Sequence, residues 1–363
     1  MDIVIEVCKI DAIHPHPNAD RMELAIIKGY TSAIPLEKYK AGDSIVFIPP
    51  EAMLPQEFID RHAITYLKNK HGRVGVVKLR GVYSEGIVVD NLDEYKVGTN
   101  VAKEYGITKW VEKESLMRSG LRSGQGRSKK QQNPHFFKYT ELRHYKDFNT
   151  VLVEGELVVI TEKIHGTNFR AGRVLRSLPE NRWVAFKEWF QRQIIGSLPD
   201  YVPVYGSHNV QLRFKKEFKG HFNANVYLSA YDKYDLGKLD EGVIVFGEIY
   251  GPGIQDHYNY GITTKQCLFY EVMMDGVFMD PEIGLGMLKA WKLPIVPVLY
   301  NGPWHPELIE KLAIGKSSLD PDTIREGIVI TAVNQREIPG VGRPIFRCIS
   351  PEYLEQKNRT EHK

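Results

Sequence analysis

The chain has 363 residues, of which 42% are hydrophobic and 26% charged, and this length and composition predict an ordinary globular protein of about two domains. Its 48 basic and 45 acidic side chains leave a net charge of only +3, so a polyanionic partner would have to be met by a local basic surface. The three cysteines have no CxxC spacing, no apolar run reaches the length of a membrane span, and no signal peptide is recognisable; we therefore expect a protein without disulfides or zinc that is intracellular and cytoplasmic, or nuclear in a eukaryote.

The first 105 residues read as short strands separated by Gly and Pro turns. Strands are predicted at 4–10, 24–28, 44–48, 74–78 and 86–89. Several short strands at this spacing predict a small β-barrel. The segment from His14 to Leu24, with its His-Pro-Asn-Ala-Asp-Arg core, and the later Lys40 to Pro49 resemble OB-fold modules that bind tRNA. His14 and His16 are either ligands or parts of a Pro-fixed turn, and we favour the turn.

A change in composition marks residues 106–150 as a basic, partly mobile linker. Ser, Gly and Gln dominate between residues 118 and 132, as in flexible linkers. Aromatic residues follow at 136, 137, 139 and 145, and basic side chains next to aromatic ones suit a surface that tracks single strands or phosphates. A solvated linker is the alternative. The candidate nucleic-acid contacts are Arg118, Arg122, Arg127, Lys129, Lys130 and Lys138.

Residues 151–352 read as a larger α+β domain, followed by a polar tail at 353–363. Strands are predicted at 151–160, 226–229, 242–249, 266–274 and 327–332, because β-branched residues recur there. Helices are predicted at 183–196 and 283–292.

One lysine stands at the end of a predicted strand, directly before a Gly-containing turn. The pattern is Lys163-x-His165-Gly166-x-Asn168, preceded by Glu162. Taken alone, such a lysine is either a solvated side chain or a nucleophile. The string resembles the nucleophile motif of covalent nucleotidyltransferases, the superfamily of ATP-dependent ligases and mRNA-capping guanylyltransferases. Histidine at this position, with Thr-Asn-Phe after the glycine, is typical of nick-sealing RNA ligases.

Two further segments follow in the order of that superfamily. Residues 205–209 occupy the place of a motif whose arginine helps to hold phosphate, but His208 stands at the arginine position. Residues 245–255 resemble the motif whose glutamate, here Glu248, contacts the nucleotide ribose. A carboxylate suits that role because it can accept a hydrogen bond from a sugar hydroxyl.

Three more segments complete the resemblance. Residues 268–272 match the strand that stacks an aromatic ring on adenine, for which Tyr270 is the first candidate and Phe269 the second. Glu326, in the segment 325–330, should lie near the metal and the lysine. In the last motif Arg347 takes the place of the first lysine, while Ile349 takes the place of the second. The missing cation would have to come from elsewhere, and Arg343 and Lys357 are candidates, since arginine and lysine can both bind phosphate.

This resemblance implies an α+β fold, in which a ligase-type nucleotidyltransferase domain with antiparallel sheets and flanking helices follows an OB-like barrel. This order of domains resembles the nick-sealing group often called the fifth class of RNA ligases, whose OB-like module is N-terminal. The implied catalytic residues are Lys163, Glu326 and Arg347. Nucleotide contacts are implied for Glu162, His165, Gly166, Asn168, His208, Glu248, Tyr270 and Phe269, and metal contacts for Glu326 with Glu248 as a second candidate.

The implied activity is ATP-dependent RNA ligation through a lysyl-AMP, with Mg²⁺ or Mn²⁺ as metal and a nicked RNA or RNA/DNA duplex as partner. Because only an uncharged amine can attack a phosphorus, the site must favour loss of the lysine proton by desolvation or by nearby positive charge. We expect no membrane partner and a monomer. The alternatives are a DNA ligase, a capping-type enzyme, or a non-catalytic RNA-binding factor that would need neither Lys163 nor Glu326. Arg170 and Lys187 are further exposed-charge candidates.

Overall fold

The structure is a computed structural model that describes residues 3–64, 72–110, 132–177, 186–187, 190, 200–214, 225–255 and 258–356. The chain divides into two compact units. The first unit contains residues 1–126, 144–149 and 349–363, and the second contains residues 127–143 and 150–348. The domain limits expected from the sequence, at 105, 150 and 352, stay predictions.

The described residues contain five α-helices: α1 (Gln56–Arg61), α2 (Val226–Lys233), α3 (Pro281–Ala290), α4 (Leu308–Ala313) and α5 (Pro351–Glu355). The strands of residues 3–110 are β1 (Glu6–Lys9), β2 (Ala12–Pro15), β3 (Met22–Ile27), β4 (Tyr30–Pro35), β5 (Ser44–Ile48), β6 (Ala52–Met53), β7 (Val76–Leu79), β8 (Val82–Glu85), β9 (Ile87–Asp90) and β10 (Thr108–Lys109). Those further along are β11 (Arg143–His144), β12 (Leu157–Glu162), β13 (Thr167–Leu175), β14 (Tyr201–Ser207), β15 (Gln211–Leu212), β16 (Val243–Tyr250), β17 (Gln266–Met274), β18 (Val277–Phe278), β19 (Val298–Pro303), β20 (Gly327–Ala332) and β21 (Ile345–Ile349). Within these described ranges, no helix combines the length and the apolar character needed to cross a bilayer.

The first unit is built of short antiparallel strands, as the turn spacing predicts. The sheets run in the orders β1-β5-β9 and β2-β3-β4, and the unit also contains the hairpin β7-β8 and the antiparallel pair of β6 with β10. The histidine-proline segment forms a turn, in which His16 bonds the carbonyl of Leu79 and the Asn18 amide donates to the carbonyl of Arg80. These contacts favour the turn over a ligand role for His16.

Part of the expected linker is a packed element of the first unit. Lys146 is buried, and its ammonium donates to both carboxylate oxygens of Glu85 at 2.8 and 2.7 Å. It also lies 4.6 Å from the ring centre of Tyr30. A buried and doubly bonded lysine is part of the scaffold, so this cation of the basic segment is not available to a nucleic acid.

The second unit contains two antiparallel sheets. In one, the order is β15-β14-β13-β16-β17-β18; in the other, β21, β20, β12 and β19 are successive neighbours. Strand β13 pairs with β16 so that Asn168 lies opposite Glu248. Strand β12 pairs with β20 so that Glu162 lies opposite Ile328. The loop of residues 163–166 therefore connects an interior strand of one sheet, β12, to an interior strand of the other, β13.

Two sequence predictions in this unit are wrong in detail. The strand predicted at 226–229 is helix α2, which the side chain of Asn225 caps by accepting from the N–H of Leu228. Its buried residues, at 226, 227, 230 and 231, have helical spacing, which four residues of an apolar run cannot reveal. The strand predicted at 151–160 begins only at Leu157. Most of the helix predicted at 183–196 lies outside the described residues.

Candidate active site

The lysine identified from the sequence lies directly after the last residue of β12. Its backbone N–H donates to the carbonyl of Gly327 at 3.0 Å, so the start of β20 fixes the chain at this point. The Lys163 ammonium donates to Glu326 Oε1 at 2.7 Å, and its side chain is 15% exposed while that of Glu326 is fully buried. The candidate nucleophile identified from the sequence is thus held by a hydrogen bond to the buried carboxylate of Glu326.

His165 lies on the other oxygen of the same carboxylate. Its Nδ1 is 3.7 Å from Glu326 Oε2. The ring packs edge-on against Tyr258, with the two centres 5.0 Å apart. The sequence motif therefore folds so that Lys163 and His165 face Glu326 together, although 163 positions separate Lys163 from Glu326 in the chain.

Glu248 approaches the same turn from the second sheet. The N–H of Gly166 donates to its carboxylate, and the charges of Lys163 and Glu326 both act on it. Burial raises the pKa of Glu248 to about 8, the positive charge of Lys163 lowers it, and the negative charge of Glu326 raises it. Only glycine fits at position 166, because a Cβ there would lie 2.3 Å from the Ile249 carbonyl oxygen and 2.9 Å from Glu248 Cγ.

Glu162 precedes the lysine but points into a different environment. Its carboxylate is buried and accepts hydrogen bonds from the Ser317 hydroxyl and from the Ser318 N–H, the latter at 2.8 Å. Arg325 Nε lies 3.6 Å away. These partners lie on the loop that leads to Glu326, so Glu162 connects the lysine strand to that loop.

The two aromatic candidates on β17 lie on opposite faces. The register of β16 and β17 shifts between Phe246 and Gly247. Phe269 is fully buried and belongs to the core between the β13-β16-β17 sheet and its helices. Tyr270 is half-buried, and its hydroxyl accepts from the Asn168 amide at 2.6 Å. Tyr270, not Phe269, therefore shares a face with the motif residue Asn168.

Asn168 has an oxygen that is available to a ligand. Its Oδ1 is buried and has no hydrogen-bond partner among the described residues. A buried polar atom without a partner is costly, so a site that binds a ligand is the natural explanation.

The cations expected at phosphate lie on a strand and in a turn of the second unit. Arg347 lies on β21 and is 9% exposed, and Ile349 of the same strand is buried. His208 is half-buried, in the turn between β14 and β15.

Two arginines considered from the sequence serve the scaffold instead. Arg343 bonds Glu271 and Thr140, and its guanidinium lies 3.7 Å from the ring centre of Phe278. It is therefore engaged in an ion pair with Glu271, and its use as the missing phosphate cation stays a prediction. Arg170 is fully buried and donates to the backbone carbonyls of residues 136, 137 and 207. The expectation of an exposed Arg170 is wrong, because these carbonyls need a donor inside the unit; Lys357 lies outside the described residues.

Most of the candidate nucleic-acid contacts lie outside the described residues. These are Arg118, Arg122, Arg127, Lys129 and Lys130. Lys138 is described and exposed, and so is Lys187.

Sequence reasoning gave no role to two residues that touch the lysine turn. The N–H of His165 donates to the hydroxyl oxygen of Tyr260 at 2.7 Å, and the Gln255 amide donates to the Gly166 carbonyl at 2.6 Å. Both follow the Glu248 strand, and Gln255 ends the motif segment 245–255. No periodic signal marks them, because each acts through one backbone contact.

The donor set suits a hard divalent cation that uses few protein ligands. No group of three His, Cys, Asp or Glu side chains that could hold a metal is found within the described ranges. Glu326 and Glu248 nevertheless bring two carboxylates to the lysine turn, and the charge of one raises the pKa of the other. Mg²⁺ is commonly bound by one or two carboxylates together with substrate phosphates and water, and these two residues fit that pattern.

Family models match two parts of the chain. The model described as RNA ligase matches residues 156–349, which is more than half of the sequence. A model of an OB-fold domain matches residues 4–91. A comparison with curated protein sequences finds no match.

Solved structures of Naegleria gruberi RNA ligase have the same fold over nearly the whole chain. An apo variant is 19% identical, covers 99% of this chain and 99% of its own, and gives a TM-score of 0.70. The complex with pyrophosphate is 19% identical, covers 98% and 99%, and gives 0.68. A variant with ATP and Mn is 18% identical, covers 97% and 98%, and also gives 0.68. At this identity the likeness establishes the fold, an α+β architecture with an N-terminal OB-fold, as the sequence predicts.

Proposed function

Since the chain belongs to the RNA ligase family and is a ligase enzyme, we propose that it joins a 3′-OH end to a 5′-phosphate end in three steps that pass through a lysyl-AMP. The substrate we propose is a nick in a duplex whose 3′-OH strand is RNA. The observation that carries the proposal is the Lys163 amine, held 2.7 Å from the fully buried Glu326 at the turn where His165 and Glu248 also meet.

In the first step Lys163 Nζ attacks the α-phosphorus of ATP. A phosphorus–nitrogen bond forms as the bond to pyrophosphate breaks. The contact with Glu326 Oε1 holds the amine at the end of β12. Such phosphoryl transfer depends on positioning and on neutralising charge. AMP then passes to the 5′-phosphate of the nick, and the 3′-OH attacks that phosphate and releases AMP.

The residues around the turn would hold the nucleotide. Glu248 is proposed to bond the ribose, and the unpartnered oxygen of Asn168 can accept from a ligand donor. The ring of Tyr270, held through its hydroxyl by Asn168, is proposed to stack on adenine. Arg347 and His208 are proposed as phosphate contacts. Phe269 would support the nucleotide site from the core, and Glu162 from the end of β12, where it bonds the loop before Glu326.

ATP and a divalent cation are the proposed cosubstrate and cofactor. The Naegleria gruberi ligase has been solved with ATP and Mn, with AMP and Mn and with pyrophosphate, which supports the same use here. Glu326, with Glu248, would hold Mg²⁺ or Mn²⁺, whose chemistry is to neutralise the charge of the transferring phosphoryl group.

The nucleic acid is proposed to contact the OB-fold module and the basic segment. The candidates are the six arginine and lysine residues of that segment, of which Lys138 is described and exposed. Charges of this kind bind the phosphate backbone without reading sequence.

A labelling experiment tests the first step. The purified chain is incubated with ATP labelled on the α-phosphate and a divalent cation, and the protein is separated under denaturing conditions. We expect a labelled adduct that Lys163→Ala abolishes and that Lys289→Ala, an exposed lysine of α3, retains. A labelled Lys163→Ala variant contradicts the mechanism, and preferential labelling by GTP indicates a capping-type enzyme.

A sealing experiment tests the substrate. Nicked duplexes with a ribose or a deoxyribose at the 3′-OH end are offered on RNA and DNA templates. We expect sealing of the ribose end and much slower sealing of the deoxyribose end. Equal rates would indicate a DNA ligase, whereas binding without sealing or labelling would indicate a non-catalytic RNA-binding factor.

A further inference from the structure

The turn that carries the nucleophile is held on both sides by the segment that follows β16. Tyr260 accepts from the N–H of His165 at 2.7 Å, and Gln255 donates to the carbonyl of Gly166 at 2.6 Å. The two hydrogen bonds lie on either side of the peptide unit that joins His165 to Gly166. This peptide unit lies between Lys163 and the start of β13 at Thr167.

Tyr260 is fixed in an unusual conformation. Its backbone φ is +54°, in the left-handed region that bulky residues rarely adopt. Its ring is 2% exposed and packs edge-on against Tyr258 at 4.9 Å and against Tyr250 at 5.3 Å between centres. Strained residues that are held by their surroundings cluster at functional sites, and here the strain delivers one hydroxyl to one backbone N–H.

The same segment also restrains the side chain of His165. Tyr258 packs edge-on against the imidazole, whose Nδ1 faces Glu326. Burial raises the pKa of the Tyr260 hydroxyl well above its usual value, so this hydroxyl stays neutral while it accepts the His165 N–H. The segment therefore contacts the turn at its backbone and at its imidazole, and none of the contacts involves the lysine itself.

We propose that Tyr260 and Gln255 are positioning residues, which hold the turn of residues 163–166 so that the Lys163 amine meets the α-phosphorus in line. The inference rests on the proposed function, because it concerns the step in which Lys163 is the nucleophile. Neither residue contacts Lys163, so both act through the backbone of His165 and Gly166. A displaced turn would slow the attack without weakening the nucleotide contacts made by the strands.

The test compares Tyr260→Phe with a variant that loses the same kind of bond elsewhere in the unit. Tyr234 is the matched control, since its hydroxyl accepts the N–H of Cys267 at 3.1 Å, away from the turn. Single-turnover formation of the labelled protein adduct is measured against ATP concentration. For Tyr260→Phe we expect a rate at saturating ATP about 10- to 100-fold below wild type, because small misplacements of a reacting group have effects of this size. The half-saturating ATP concentration should stay within about 2-fold, and Tyr234→Phe should match wild type.

Two further readouts separate positioning from a general structural effect. Gln255→Glu removes the amide donor with little change of shape and should slow adduct formation in the same way. Sealing of a nick whose 5′ end is already adenylylated does not need Lys163 as a nucleophile. It should therefore remain within about 3-fold of wild type in Tyr260→Phe, because only the attack step depends on the position of the amine.

Three outcomes overturn the inference. In the first, the adduct forms as fast in Tyr260→Phe and Gln255→Glu as in wild type. In the second, Tyr234→Phe is slowed as much as Tyr260→Phe. In the third, the half-saturating ATP concentration of Tyr260→Phe rises while its rate at saturating ATP does not fall. In each of these cases the wild-type chain still forms its adduct, so the proposed function stands. If the wild-type chain forms no adduct, the proposed function fails and the inference fails with it.

Discussion

Replacement of Gly166 by alanine should disable the site while the fold survives. The added Cβ would lie 2.3 Å from the Ile249 carbonyl oxygen, about 1 Å short of the 3.4 Å at which ordinary contact begins. The obstacle is backbone of β16 and cannot rotate away. The same Cβ would press on Glu248 Cγ at 2.9 Å, so the carboxylate and the turn are displaced together.

The size of the effect follows from that overlap. Forcing an extra carbon into a packed interior destabilises a protein by about 1–3 kcal/mol. A shift of about 1 Å between reacting groups lowers a rate by roughly 100-fold. We therefore expect Gly166→Ala to unfold at a lower urea concentration than wild type and to form the labelled adduct roughly 100-fold more slowly.

Gly172→Ala is the matched control. It lies further along β13 against the same partner strand, where a Cβ would be 2.1 Å from the Val243 carbonyl oxygen. It should lose about as much stability, roughly 1–3 kcal/mol, yet form the adduct at a rate close to wild type. Urea unfolding and single-turnover labelling are measured on both variants. Equal rates for Gly166→Ala and wild type would refute the reasoning, and so would equal losses of rate in the two variants.

Three further predictions concern charged and polar groups. Because burial raises the pKa of Glu248 from 4.5 to about 8, the folded state keeps a proton that the unfolded state has lost, and stability falls as pH rises from about 4.5 to 8. Glu248→Gln should gain about 5 kcal/mol relative to wild type across this window in urea titrations at several pH values, and a constant difference would contradict the assignment. Ser317→Ala should loosen the loop before Glu326, with a loss of about 1–2 kcal/mol in urea unfolding and slower adduct formation, since the buried carboxylate of Glu162 loses one of its hydrogen-bond donors. Unchanged rates would argue against a role for this loop. Lys146→Met should lower the free energy of unfolding by about 3–5 kcal/mol in urea, because it leaves the buried carboxylate of Glu85 without its lysine partner. Adding Glu85→Leu should recover most of that loss. A double variant that is no more stable than Lys146→Met would refute this account.

The sequence predicted the strands that are defined by local pattern. Strands β5, β17 and β20 were predicted with their observed limits, because continuous β-branched and aromatic runs bounded by turn residues are decided by the residues themselves. Helix α2 was not predicted, since a four-residue apolar run fits a strand as well as a helix. Its identity depends on the Asn225 cap and on packing against the sheets.

The order of motifs also selected the candidate site residues. Lys163, Glu248 and Glu326 were selected from the sequence, and the fold brings these three together. Arg170 was misjudged, because an arginine has the same appearance in a sequence whether it is exposed or donates to a buried carbonyl.

What the sequence by itself determined is the family and the candidate nucleophile, since these depend on residue types at short spacing. Of the strands that flank this lysine, β12 begins at Leu157 and not at residue 151, and β13 was not predicted. Only the tertiary structure decided how the turn is held. Glu326 reaches Lys163 from 163 positions away, and Tyr260 reaches the His165 N–H from 95. Contacts of this kind leave no periodic trace, because each joins two groups that are far apart in the chain and meet only after the two sheets have formed.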